Sequence, residues 1–215
     1  MTRPCVILVA DSNMAAAFKG YFNRDRWDLS LGCAHFDFNA ELGGDLLVAD
    51  DADPGVYTRA HSYLDTYRTS HAHALVVLDC EWAGSPGKTV IVEHIAARLV
   101  ASGWVKDDVK VIAIEPELEN WLWQDKPQIA EALRYKGDKP LRQHLADSGW
   151  WPADARKPPR PKEAAEWVLK QTRQPRSSAI YQRLAEHISI RGCTDVAFAE
   201  MHAAFQAWFP LEVPA

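Results

Sequence analysis

Cysteine is scarce in this chain, and what there is lies scattered. Cys5, Cys33, Cys80 and Cys193 form no C-x-x-C pair, which speaks against a zinc site and against a disulfide framework. A reducing, cytoplasmic setting is therefore expected. Long apolar runs are missing as well. None approaches the roughly 20 residues that cross a bilayer, so no membrane partner is expected. Met1-Thr2-Arg3-Pro4 passes straight into strand-like sequence, without a signal-peptide pattern. A third absence is a complete nucleotide-binding loop. Gly87-Lys88-Thr89 follows a strand and precedes a helix, but the pattern G-x-x-x-x-G-K-[ST] needs glycine where Trp82 stands. Pro86 also removes one N–H from any phosphate cradle. This excludes an ATPase P-loop and leaves Lys88, at a helix N-terminus, able to touch a phosphate. Internal repeats are absent too.

What the chain does have is core material and uneven charge. Its 215 residues are 47% hydrophobic and include nine tryptophans, enough for one large domain or a domain with an appendage. The net charge of −5 conceals an asymmetry. Residues 1–125 carry 10 Lys/Arg against 19 Asp/Glu, and residues 126–215 carry 14 against 10. An acidic part able to hold cations, joined to a basic part able to hold phosphates, suits a nucleic-acid or nucleotide substrate. The expected organisation is an α/β domain over 1–125 and a basic helical extension over 126–215 packed on it.

The strand pattern centres on Ala74-Leu75-Val76-Val77-Leu78, a continuous apolar run that reads as a strand buried on both faces and that enters Asp79-Cys80-Glu81. Cys5 to Ala10 is a second such run and ends at Asp11, with Ser12-Asn13 and a short helix from Met14 to Tyr21 behind it. Val109 to Ile114 is another, ending in Glu115-Pro116-Glu117-Leu118-Glu119, and Leu46 to Ala49 is a shorter one. Strands alternating with helices imply a mostly parallel sheet with right-handed crossovers. The acids then gather at the carboxyl edge, where open α/β sheets bind ligands.

Several local expectations follow. Trp27 to Gly32 reads as a short strand. Asp50 to Gly55 lacks the spacing of a calcium loop and reads as solvated. Val56 to Ser70 reads as a helix, and His71-Ala72-His73 as a loop feature. Pro116 suits a first helical turn that would carry Glu117 and Glu119. Further helices are expected over 128–135, 141–147, 163–171, 178–190 and 195–209. Trp150-Trp151 reads as packing. The Pro-stiffened basic stretch from Asp154 to Lys162 reads as a linker, with a phosphate-contacting arm as the alternative. Arg173, Arg176, Arg183 and Arg191 run through the tail.

Two carboxylates two positions apart, Asp79 and Glu81, project to one side if the chain stays extended, and such a pair suits a hard cation such as Mg²⁺ or Mn²⁺. The expected metal set is Asp11, Asp79, Glu81 and Glu115. The expected catalytic set is Asp79, Glu81, Asp11 and Glu119, with the choice among Glu115, Glu117 and Glu119 left open. Lys88, Arg173 and Arg176 would neutralise phosphate oxygens. The matching activity is metal-dependent phosphodiester cleavage.

This order of strands and acids resembles a Toprim-like domain, found in topoisomerases, primases and OLD-type nucleases. That family places an acid after its first strand, usually Glu, where this chain has Asp11. It places Asp-x-Asp after a later strand, where Asp79 matches the first position and Glu81 replaces the second. The chain is also similar to small Toprim-like proteins of prokaryotic phage-defence islands, in particular the small subunit of methylation-associated defence systems. Glu119-Asn120-Trp121-Leu122 carries that likeness, with Cys193-Thr194-Asp195-Val196-Ala197-Phe198 near the end. The resemblance implies a defence role with other subunits as partners, including a methyltransferase. Nucleic acid and a second copy of the chain stay open as partners. Two alternatives stand beside the nuclease. One is a non-catalytic sensor or assembly subunit that keeps a degenerate fold. The other is a DEDD-type exonuclease suggested by Leu78-Asp79-Cys80-Glu81, although no later His-x-x-x-x-Asp or Tyr-x-x-x-Asp partner accompanies it.

Overall fold

A computed structural model describes residues 2–189 and 193–211. Its strands are β1 (Arg3–Val9), β2 (Leu46–Val48), β3 (His71–Asp79) and β4 (Val109–Ile114), all parallel, in the order β2-β1-β3-β4. Between them run α1 (Ser12–Phe22), α2 (Trp27–Leu31), α3 (Ala52–Tyr63) and α4 (Lys88–Ala101). After β4 come α5 (Glu119–Leu122), α6 (Pro127–Ala132), α7 (Leu141–Asp147), α8 (Pro161–Gln171), α9 (Ser178–His187) and α10 (Val196–Trp208). The expected α/β architecture is thus present: a parallel sheet, flanking helices and a helical C-terminal part. Among the described residues, no helix is long and apolar enough to cross a membrane.

The central strands are buried as their composition requires. Cys5 to Val9 and Ala74 to Leu78 are wholly inaccessible, because helices cover both sheet faces. The chain leaves β1 toward β2 and leaves β3 toward β4, in opposite directions along the sheet. With right-handed crossovers, α1 falls on one face and α3 and α4 on the other. The gap between β1 and β3 is therefore the topological switch point.

Residues 123–188 build a second apolar core from Trp123, Ile129, Leu133, Leu145, Trp151 and Val168, among others. The tail then returns to the sheet, where Phe198, Met201 and Phe205 of α10 join the first core. Phe205 and Phe209 pack on Phe36 with centroids 5.8 and 3.9 Å apart. α9 lies against the outside of α1, which is why α1 is buried nearly all round. The two helices approach so closely at Gly20 that a Cβ there would collide with the Gln182 carbonyl.

Several local expectations need correction. Residues Trp27–Leu31 form a helix and not a strand: Trp27 and Leu31 are buried while Leu29 is 56% exposed, a helical spacing that happens to mimic alternation, and Gly32 closes it in the left-handed region at φ 67°. His71 and His73 belong to β3, paired with Arg3 and Cys5 of β1. The α3 helix begins at Ala52 and ends at Tyr63, earlier at both ends than expected. Pro116 lies outside α5, after a cis bond from Glu115. Its carbonyl is held by the N–H groups of Cys80 and Glu81, and the Leu118 N–H is held by Asp79, so this stretch is tied to the sheet edge before a helix can start. Ile190 and Arg191 lie outside the described residues.

The amino end of the sheet carries a buried polar clamp. Asp45, 1% exposed, takes both forks of the Arg3 guanidinium. It also accepts from the Asn39 N–H at 2.6 Å and meets His71 Nε2 at 3.0 Å. Burial alone would raise the Asp45 pKa, but these hydrogen bonds outweigh it and hold the carboxyl below its usual range.

Two outcomes are expected. Gly20→Ala should cost about 1–3 kcal/mol through overpacking at the α1–α9 contact, read as a lower urea midpoint. Asp45→Asn should cost about 2–3 kcal/mol, less than a fully buried pair because Arg3 is partly exposed. A carboxyl with a depressed native pKa stabilises above its unfolded pKa, and that contribution disappears as pH falls through the native value. Asp45→Asn should therefore flatten the acid limb of the stability–pH profile.

Candidate functional site

The register of β1 against β3 builds the site. Val9 pairs with Val77, so Asp11 and Asp79 lie two residues past the same rung, side by side at the switch point. The other two strands add to the same rim. Asp53 follows β2 in the first turn of α3, and Glu117 follows β4. Each parallel strand thus delivers one carboxylate to a common edge.

Backbone N–H groups hold these acids in place. Asp11 caps α1, its Oδ1 accepting from Asn13 N at 2.9 Å and Met14 N at 2.8 Å. Asp53 Oδ1 accepts from Asp79 N at 2.8 Å, which joins the loop after β2 to the end of β3. Asp79 Oδ1 accepts from Leu118 N at 2.8 Å, which joins β3 to the loop after β4. All three aspartates use Oδ1 for these bonds, and among the described residues the Oδ2 of each takes no protein donor. Glu117 Oε1 accepts from Lys162 N at 3.0 Å, with the Lys162 ammonium 3.9 Å from Oε2.

Burial and like charge raise the proton affinity of the cluster. Asp79 is pushed well above the ordinary carboxylate range, first by burial and then by Asp53, Glu119, Asp11 and Glu117. Burial also raises Asp53, with Asp11 adding to it against the hydrogen bond from Asp79. Glu117 is pushed up to about 7 by burial and by Glu119.

The structure treats the expected site residues unequally. It brings Asp11 and Asp79 together. Glu81 and Glu115 are exposed, and both line a separate open recess of about 550 Å³ with Cys80, Trp82 and Lys88. The reason is that β3 ends at Asp79 and the chain bends at Cys80, so the extended geometry that would have set Asp79 and Glu81 on one side is lost. Glu119 is 2% exposed and gripped by Arg176 Nη2 at 2.6 Å and by the Tyr181 hydroxyl. Arg176 also reaches Glu166 at 3.5 Å. Lys88 stands 3.4 Å from Glu200, and Arg173 is exposed just after α8, at φ 53°.

Asp53 is absent from the set that the sequence suggests, and Glu117 is there only as one of three open choices. Asp50 to Gly55 is not merely a solvated loop, since Asp53 bonds the end of β3. A signal for it does exist in the sequence: Leu46 to Ala49 is also a strand followed by acids, like the other three. The donors are hard oxygens of the kind Mg²⁺ prefers. Among the described residues, however, no three His, Cys, Asp or Glu side chains stand close enough together to hold an ion as placed. No family model, curated protein or solved structure matches the chain.

The pH dependence follows from these acids. A carboxyl whose native pKa is raised binds its proton more tightly when folded. Between roughly its ordinary value of 4.5 and its native value near 7, Glu117 therefore loses stability for the fold as pH rises. Stability measured by urea denaturation without divalent ions should fall from pH 5 to pH 7.5. Glu117→Gln should lessen that fall.

Proposed function

We propose that this protein is a Toprim-like, divalent-cation-dependent phosphodiester-processing protein, in its simplest form a nuclease subunit working with other subunits in prokaryotic phage defence. One observation carries the reading. Asp11, Asp53 and Asp79, from three different strands, converge at the switch point with one oxygen anchored by backbone N–H groups and the other left over. A desolvated cluster of like charge at that position is costly without a counter-ion. Asp11, Asp53 and Asp79 would hold Mg²⁺ or Mn²⁺ once their carboxylates draw closer together than the structure places them. Such an ion supplies neutralisation of phosphate charge and a more acidic bound water. The protein's own contribution is to fix the three aspartates. Glu117, titrating near neutrality and oriented by Lys162, holds or releases a proton beside them. Glu119 keeps the rim in place through Arg176 and Tyr181, a positioning role.

A second reading, a non-catalytic sensor or assembly subunit, is favoured by one specific feature. Arg176 and Lys88, two of the three cations expected to face phosphate, are engaged with Glu119, Glu166 and Glu200, while Arg173 is exposed.

Calorimetric titration of the full chain with Mn²⁺ should give saturable binding that Asp79→Asn and Asp11→Asn abolish. Cleavage of DNA, RNA or tRNA should require Mn²⁺ or Mg²⁺ and be lost in Asp79→Asn. Cation binding without cleavage of any of these would favour the assembly reading. No cation binding at millimolar concentration would sink both the ion site and the chemistry built on it.

A further inference from the structure

We propose that the outer face of the helical extension is a track for single-stranded nucleic acid. This rests on the phosphodiester chemistry proposed above and names its substrate class. The track is a row of four rings on the surface of the second core. Tyr135 stacks on His144 with centroids 5.1 Å apart and planes 30° apart. His144 lies 5.2 Å from Trp167, and Trp167 lies 6.0 Å from Trp150. The Arg160 guanidinium sits 5.0 Å above the Trp150 ring. These residues come from the loop after α6, from α7, from α8 and from the stretch between them, so the row exists only in the folded protein.

Packing alone does not account for the row. The neighbouring pair Trp123 and Trp151 shows what packing looks like here: 2% and 3% exposed, with indole N–H groups donating to Pro161 O at 2.7 Å and Ala155 O at 2.9 Å. Trp150 and Trp167 are only half-buried. Among the described residues, neither indole N–H has a protein acceptor. Their inner sides rest on the second core, which holds the rings rigid while part of each stays open.

Charge marks the occupant. The Tyr135–His144 end opens on a recess of about 560 Å³ bordered by Arg134, Lys136 and Lys139, with Asp138 as the one acid on its rim and Lys139 also reaching Asp147 at 2.6 Å. Arg160 closes the other end of the row, over the Trp150 ring. Aromatic faces between cations on an otherwise acidic protein match a polyanion with unpaired, stackable bases. A duplex hides its base faces and would gain only from the charges.

The test uses the full chain without divalent cations, with fluorescein-labelled oligothymidylate and a duplex of equal length. Oligothymidylate should bind more tightly than the duplex and quench tryptophan fluorescence. Trp150→Ala should weaken binding on the order of tenfold, while Trp150→Phe, which keeps a ring, should retain most of it. Arg134→Glu with Lys136→Glu, both exposed, should lower the slope of log affinity against log salt by about 0.7 for each phosphate that is no longer neutralised. No binding at low salt overturns the proposal. So does equal binding of the duplex, or unchanged affinity in a Trp150→Ala protein that circular dichroism shows to be folded. Asp79→Asn should bind oligothymidylate like the parent chain. Binding that tracks these variants while cleavage is never seen would leave the track standing and remove only the rim chemistry.

Discussion

The register between β1 and β3 is the constraint on which the rest of this structure depends. Two buried strands, fully apolar through their middles, can pair in parallel only with their hydrophobic runs level. Their runs end at corresponding rungs, so Asp11 and Asp79 emerge side by side. A slip of one residue would place an acid within the sheet or a valine at its edge. The same pairing makes this the switch point of the sheet, where chain reversal opens a crevice between helices. Packing of apolar side chains therefore aligns the carboxylates.

Having been aligned, the acids are held against their own repulsion. Asp11 is anchored within its own turn, and the other anchoring bonds reach separate segments: Asp53 to the Asp79 N–H, Asp79 to the Leu118 N–H, Glu117 to the Lys162 N–H. The last of these reaches α8, and Glu119 reaches α9 through Arg176 and Tyr181. The helical extension is thereby bound into the rim. Its second core carries Tyr135, Trp150 and Trp167 on its surface, while α10 carries the chain back to the sheet. The rim acids come from residues 11–117 and the basic, aromatic row from residues 134–167, which agrees with the charge asymmetry along the chain.

Legibility differs by element for physical reasons. The buried strands can be read because burial on both faces leaves an unbroken apolar run, and their terminal acids stand out against it. Asp53 is hidden among Asp50 and Asp51, which do face solvent; only the bond to Asp79 distinguishes it. Glu81 looks equivalent to Asp79 because local spacing assumes a strand that continues, and this strand stops. Trp27, Leu29 and Leu31 fit alternation as well as a helix, and which residues the core takes settles that ambiguity. Arg176 reads as a free cation because its partner, Glu119, is far away in sequence.

The amino-acid order by itself determined the buried strands, the parallel sheet and the presence of acids at strand ends. These depend on periodicity and on neighbours along the chain. Only the tertiary structure decided which acids share one rim, which cations are paired internally, and that Tyr135, His144, Trp167 and Trp150 form a row. Those relations join residues from separate segments, and side-chain electrostatics and stacking act over a few ångströms of space whatever the distance along the chain.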